Sequence, residues 1–253
     1  MNSLKITILT PSYNQGSFIE KNIEAVLNQN YSNFEHIILD GGSSDNTVEV
    51  LKKYPHLIWI SEKDEGQADC LNKGLKLATG DIIGWINSDD YLEPNIFEAI
   101  NEEFSKNSDL NWIVGNLNVD DLNNNTITKI NSPKISYEEL LKNPDIVKQP
   151  ATFIRKRIIE QVGGWNKNLY MVMDYDLWIR ISKVCNPKKI DKTFANFVIH
   201  PDQKTNPKNS LRQIQEIKKI VLSEKKKDKA YYSLLYRKYK SYYKKKIKNM
   251  LNL

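Results

Sequence analysis

The sequence predicts an α/β fold with a mixed, mostly parallel central sheet flanked by helices. Two observations carry the prediction. In the first half, short apolar runs rich in β-branched residues alternate with segments whose apolar residues recur at helical spacing, the rhythm of strands joined by crossover helices. Each predicted strand is followed at once by polar, acidic or glycine residues, and the edge beyond the strand ends is where an open α/β sheet binds ligands.

Taken in order, residues 5–10 (KITILT) form the first strand and 11–14 a turn. Ile19, Ile23, Val26 and Leu27 recur at helical spacing, and 34–40 (FEHIILD) returns as a strand, which completes one βαβ unit. Ser44 is a plausible N-cap for a helix ending near Tyr54, and 58–61 is a third short strand. Leu71, Leu75 and Ala78 mark the next helix, Gly80 ends it, and 81–86 (DIIGWI) forms a buried strand delivering Asn87, Ser88, Asp89 and Asp90. Beyond Pro94, a helix with Phe97, Ile100 and Phe104 leads to a hairpin of 112–118 and 126–130 across an Asn-rich turn. The parallel rhythm breaks there, and a less regular half follows, with 174–184 as a helix.

A chain of 253 residues, 40% hydrophobic and 27% charged, has the size and composition of one substantial core. No run approaches the roughly 20 apolar residues of a membrane-spanning helix, and the start lacks the basic flank and cleavage site of a secretory signal, so a cytoplasmic protein is expected. Cys70 and Cys185 read as buried thiols. The charge is uneven: residues 218–253 hold 13 Lys and Arg against Glu224 and Asp228, a net +11 against +6 for the whole chain, which leaves the remainder mildly acidic.

The simplest division is one catalytic domain over 1–215 and a basic amphipathic helical tail over 216–253. In that tail Leu235, Tyr239, Tyr243 and Ile247 recur every four residues among lysines. Such a stripe suits an anionic membrane surface, which would put the protein peripherally on the inner face of the membrane; it equally suits packing on the domain or on a second copy in a homo-oligomer. No nucleic-acid-binding module accompanies the charge, so nucleic acid is not an expected partner.

The strand ends carry the chemistry. They read Thr10-Pro11-Ser12-Tyr13-Asn14, then Asp40-Gly41-Gly42-Ser43, then Glu62, Asp64 and Glu65, then Ser88-Asp89-Asp90. Each alone is ordinary turn or cap chemistry, but together they gather several acids at one edge. Crowded carboxylates repel unless a cation or donor hydrogens neutralise them, and hard oxygen ligands favour magnesium or manganese.

With these residues in place, the chain resembles the family 2 glycosyltransferases, enzymes of the GT-A fold. The resembling segments are ILTPSYNQ, LDGGSSDNT and SEKDEGQADCLNKGLKLATGDIIGWINSDD, then QPATFIRK and MDYDLWIR, so the likeness runs through most of residues 4–200 in the family's order. The resemblance implies an inverting enzyme that moves a sugar from a nucleoside-diphosphate sugar, a UDP-sugar foremost, to a hydroxyl of a glycan or lipid-linked acceptor in cell-surface polysaccharide synthesis. It further implies donor-binding positions at Thr10, Pro11, Ser12, Tyr13, Asp40, Gly41, Asp69 and Asp89, with Asp40 accepting from the nucleobase and Asp89 near the ribose. Asp90 would be the direct ligand of Mn2+ or Mg2+, with His200 a further metal ligand or diphosphate contact, or else structural.

Asp174 stands where the family places its general base. Many relatives have Glu before that Asp, and here the position is Met173, which leaves Asp176 as a rival. Lys73 reads as a solvated helix lysine or a phosphate contact. Gln149, Pro150 and Arg155 resemble acceptor-side or diphosphate-side elements, although Arg155 beside Lys156 and Arg157 reads equally as part of a surface cluster. A sugar nucleotidyltransferase is the alternative enzyme, but the chain lacks a Gly-rich, Lys- or Arg-bearing phosphate loop after its first strand. A catalytically inactive glycan- or nucleotide-binding module is the alternative outside catalysis.

Overall fold

The computed structural model describes residues 3–201, 203–204 and 209–224, with 233, 236, 237 and 240 beyond them. Four parallel strands open the sheet: β1 (Ile6–Ser12), β2 (Phe34–Asp40), β3 (Ile58–Ser61) and β4 (Ile82–Trp85), in the order β3-β2-β1-β4. Helices α1 (Ile19–Leu27), α2 (Thr47–Leu51) and α3 (Gln67–Leu77) connect them. This is the expected βαβ series, and it puts all four carboxyl ends on one edge.

The second half extends the sheet in mixed sense. β8 (Thr152–Arg155) runs antiparallel to β4, and β6 (Trp112–Asp121) antiparallel to β8. β9 (Lys188–Ile199) is parallel to β6, and the two-residue β5 (Tyr91–Leu92) closes the order antiparallel to β9. The hairpin partner β7 (Thr126–Ile130) pairs with the far half of β6. Between these strands come α4 (Ile96–Lys106), α5 (Tyr137–Lys142), a short 3-10 turn (Gln149–Ala151), α6 (Lys156–Gln161) and α7 (Met173–Ser182), with α8 (Ser210–Ser223) last.

Alternation along β1 explains the layers. Ile6 and Ile8 face a core shared with Phe97, Ile100 and Phe104 of α4, whereas Leu9 faces the larger core built by α3, α7 and α8. Covering both faces is what a parallel block requires.

Two expectations are corrected. Ser44 does not cap α2: the helix starts at Thr47, and Asp45 accepts from the Thr47 backbone N–H at 3.0 Å. The division at 215 falls inside α8, whose Ile214, Ile217, Ile220 and Val221 are buried, the last three in the larger core, so this helix belongs to the domain. Most of the expected basic tail lies outside the described residues. Among the described residues, no helix is long and apolar enough to cross a membrane. Both cysteines are free thiols; Cys70 is buried, and Cys185 half-buried.

Candidate active site

Register brings the first two strand ends together. Ser12 pairs with Asp40, and the Gly41 N–H donates to the Ser12 carbonyl at 2.9 Å. Asn14 turns the chain in the left-handed region at φ 52°, so that its backbone N–H reaches the Ser43 hydroxyl at 2.7 Å and its side chain accepts from the Ser44 N–H at 2.9 Å. The loop leaves Tyr13 62% exposed above the edge, an aromatic face open for stacking. Below it, a Cβ on Gly41 would lie 2.8 Å from Asp64 Oδ2 and 3.5 Å from the Tyr13 ring. A side chain here would have to displace the Asp64 carboxylate.

Asp40 is buried, and its carboxylate accepts from the Ser43 N–H at 2.9 Å, the Ser61 hydroxyl at 2.6 Å and the Ser43 hydroxyl. A carboxylate offers about four acceptor sites, so one remains for a ligand N–H. The Ser12 hydroxyl is buried without a partner among the described residues. Thr10, by contrast, faces the protein: its hydroxyl meets His36 Nε2 at 2.9 Å and Asn22 Oδ1 at 3.4 Å. Burial, with His56 nearby, holds His36 down to about 3, so it is neutral and serves this contact.

The turn after β4 is built from beneath. The Asn22 side chain, on α1, donates to the carbonyls of Asn87 and Asp90, both at 2.9 Å, while its oxygen faces Thr10. Thr10 is thus a support of this turn. Asp90 is 1% exposed, and its Oδ1 accepts from the Val198 N–H of β9 at 2.9 Å. Its Oδ2 has a long contact of 3.4 Å from the Asn87 amide. Burial, and then the charge of Asp89, push the Asp90 carboxyl well above the usual carboxylate range.

His200 follows β9 at the same place: Nε2 lies 3.1 Å from Asp89 Oδ2, the ring packs on Phe18 at 4.3 Å, and Nδ1 is buried without a partner among the described residues. Carboxylates and an imidazole are groups that a hard divalent cation accepts, and a cation here would relieve the repulsion between the two carboxylates. Among the described residues no group of three or more His, Cys, Asp or Glu side chains is placed to hold a metal ion, so these three do not form a cation site by themselves.

Asp174 lies in the first turn of α7 and is half-buried. Burial pushes its carboxyl up to about 6, against the opposing Tyr175 N–H; Asp145 raises it further, and Lys204 lowers it. The rival, Asp176, is occupied by Arg180, with Nε at 2.8 Å and Nη2 at 2.7 Å. Met173 is buried in the core. Trp178 stacks on Trp112 at 5.5 Å, and Trp165 meets Trp85, the last residue of β4, edge-on at 5.8 Å.

Lys204, which the sequence did not single out, links the two halves. Its ammonium donates to Gln67 Oε1 at 2.9 Å and lies 4.3 Å from the Tyr170 ring centroid. Gln67 donates to Asn87 Oδ1 at 2.8 Å, and Asn87 reaches Asp90, so one chain of contacts runs from Lys204 to the buried carboxylate. Burial draws Lys204 down to about 8, although Asp174 and Glu216 favour its charge.

Other expected residues have protein partners. Asp69 is held between Lys167 and Lys73, the latter at 3.4 Å, and Lys167 above all keeps its carboxyl below the usual range. Lys73 also pairs with Glu62 at 2.7 Å. Gln149 joins the network, accepting from Asn87 at 3.3 Å and donating to the Trp85 carbonyl. Arg155 does not join it. β8 runs antiparallel, which pairs Arg155 with Ile82 at the amino end of β4, and the guanidinium donates to the Leu110 and Phe104 carbonyls, both at 2.9 Å.

Comparison with known proteins agrees with this geometry. Residues 7–163 match the model of glycosyl transferase family 2. The chain is 31% identical over 220 residues to the Escherichia coli UDP-Glc:alpha-D-GlcNAc-diphosphoundecaprenol beta-1,3-glucosyltransferase WfgD, covering 85% of this chain and 84% of that protein. It is 29% identical over 220 residues to an Escherichia coli chondroitin synthase, of which it spans only 32%. Among solved structures, S. aureus TarS 1-349 in complex with UDP-GlcNAc superposes with a TM-score of 0.67 at 16% identity, over 87% of this chain and 67% of that one. The mannosyltransferase PcManGT from Pyrobaculum calidifontis, in complex with GDP-Man and Mn2+, gives 0.64 at 16% identity, over 91% and 68%. Both likenesses establish the fold, GT-A.

Proposed function

Because the chain belongs to glycosyl transferase family 2, we propose that it transfers a sugar from a nucleoside-diphosphate sugar, UDP-linked foremost, to a hydroxyl of a glycan or lipid-linked acceptor with inversion at the anomeric carbon. The observation that carries this reading is the pairing of under-neutralised Asp90, beside Asp89 and His200, with the separately raised Asp174. Donor complexes of the two structural neighbours and the named substrate of the glucosyltransferase relative support it.

Tyr13 stacks on the base, and the spare acceptor of Asp40 takes a ring N–H. Asp89 contacts the ribose, and Asp90 with His200 would hold a divalent cation, which would supply neutralisation of the departing diphosphate. Ionised Asp174 accepts the proton of the acceptor hydroxyl as its oxygen bonds to the anomeric carbon. The bond from that carbon to the diphosphate oxygen breaks on the opposite side, and the electron pair leaves with the nucleotide. Burial suits Asp174 to the task, since a base that holds its proton at about 6 is ionised yet basic near neutrality.

Incubation of the protein and Mn2+ with UDP-, GDP- and dTDP-sugars and lipid-linked glycan acceptors tests this. Nucleotide release with a product of inverted anomeric configuration is expected, and the absence of both binding and turnover with every donor would refute it. The basic segment 218–253 is proposed to bring the enzyme to anionic lipid surfaces where such acceptors reside. Binding to phosphatidylglycerol vesicles should weaken with salt and be lost on deletion of 225–253; binding that survives the deletion would place the contact elsewhere.

A further inference from the structure

α8 contributes more than apolar burial to the site. Glu216 points from it into the approach to α7, with 7% of its side chain exposed. Its carboxylate accepts from three consecutive backbone N–H groups: Tyr170 at 3.1 and 3.2 Å, Met171 at 2.8 Å and Val172 at 3.3 Å. Donors just ahead of a helix have no intrahelical acceptor, and a negative charge there also complements the helix dipole. Arg212, one turn earlier on α8, bonds to Glu216 at 3.0 Å and lies 4.2 Å from the Tyr170 ring centroid. Two side chains of α8 therefore grip residues 170–172, and Asp174 follows two positions later.

Docking of α8 alone does not require a carboxylate. Ile217, Ile220 and Val221 already anchor the helix in the core, and a buried charge carries a desolvation cost that an apolar residue at 216 would avoid. What the carboxylate adds is a fixed backbone at 170–172.

We propose that Glu216 is a positioning residue for Asp174: it sets the path of 170–172, and so the direction in which the base faces the acceptor hydroxyl, with Arg212 aiming Glu216. The proposal rests on Asp174 being the base.

The test compares wild type, Glu216→Gln, Arg212→Met and Asp174→Asn. Two measurements are made: amide hydrogen exchange at 170–172, and nucleotide release from the most active donor of the panel above, with Mn2+. Glu216→Gln should speed exchange at 170–172 about tenfold and lower kcat about tenfold with donor KM within about twofold, since misplacement of a reacting group falls on the chemical step. The acid limb of its kcat profile should also shift downward as water reaches Asp174, which is faced otherwise by Asp145 and Lys204. Arg212→Met, on the exposed side of α8, should show the same pattern at about threefold and serves if Glu216→Gln does not fold.

Unchanged exchange overturns the proposal. So does faster exchange with unchanged kcat, which makes the clamp structural only. Full turnover by Asp174→Asn refutes the base itself, a failure separate from that of the clamp because the exchange result stands without it.

Discussion

The two ends of the parallel strands treat buried charge in opposite ways. At the amino ends, Glu35 is 8% exposed and accepts from Lys5 at 2.7 Å, the Thr7 hydroxyl at 2.6 Å, and the Thr79 N–H and hydroxyl at 2.6 and 2.7 Å. Burial alone would raise this carboxyl, but these partners outweigh it and hold it at about 2. A cleft lined by Gly80, Asp81, Ser108, Glu160 and three cations lies near this end, and its cations have protein partners too: Arg155 on the carbonyls of Leu110 and Phe104, Arg157 on Ser108 and Asn111, and Lys156 on Ala78.

At the carboxyl ends Asp40 and Asp69 are also met by partners, but Asp90 and Asp174 are raised, and among the described residues the Ser12 hydroxyl and His200 Nδ1 lack partners. Charge met in full by the protein serves the fold; charge left short is kept for a ligand. On the proposed function, the acidic edge rather than the basic cleft receives the phosphates.

Asp90→Asn offers the hardest break. It should cut transfer about a thousandfold, since the stabilisation of a leaving group depends on it, while the melting temperature changes little or rises. Unfolding with activity intact would reverse the comparison. Asp174→Asn should follow, with kcat lower by about a hundredfold or more. In the wild type, kcat should fall about tenfold per pH unit below about 6, where the base takes its proton, and level off above. The stability effect has the opposite sign. A carboxyl raised in the folded state favours folding at low pH and loses that contribution as pH rises through about 6, so Asp174→Asn should stabilise the protein at pH 8 by about 1 kcal/mol. Urea melts at pH 8 and 5 check this; equal stability of the two proteins at both would remove Asp174 from the under-satisfied class.

Much of the carboxyl edge was legible in sequence, because each βαβ unit states its strand, its helix period and its strand-end residues within about 30 residues. What was not legible depends on distant partners. Asn22 supports Asn87 and Asp90 across 65 and 68 residues, and Glu216 reaches Tyr170 across 46. An isolated Asn or Glu on an amphipathic helix gives no local signal of this. β5 has two residues, and β8 only four behind a 3-10 turn, too short for a period to declare itself. Arg155 stayed between two readings because the sequence shows proximity to a motif but not the direction of its strand. The sequence named Asp174 with Asp176 as a rival, and it could not show that Arg180 occupies Asp176.

The smallest effect tests the other side of the comparison. Glu35→Gln keeps the shape of the side chain but removes its charge, so Lys5 loses its ion pair and the new amide places hydrogens against the donors of Thr7 and Thr79. About 2 kcal/mol of stability should be lost at pH 7, the range for a hydrogen bond to a charged group. Activity should stay within about twofold, because the residue lies at the edge opposite the proposed chemistry. Glu35 in the folded protein sits at about 2, below its ordinary 4.5, so its contribution is present above 4.5 and is lost as pH falls through about 2. The stability gap between wild type and Glu35→Gln should accordingly shrink to less than about half its neutral value by pH 3. A gap that stays constant from pH 7 to 3 would mean that packing rather than charge accounts for Glu35, and the two edges would then differ in their ligands but not in how they satisfy buried charge.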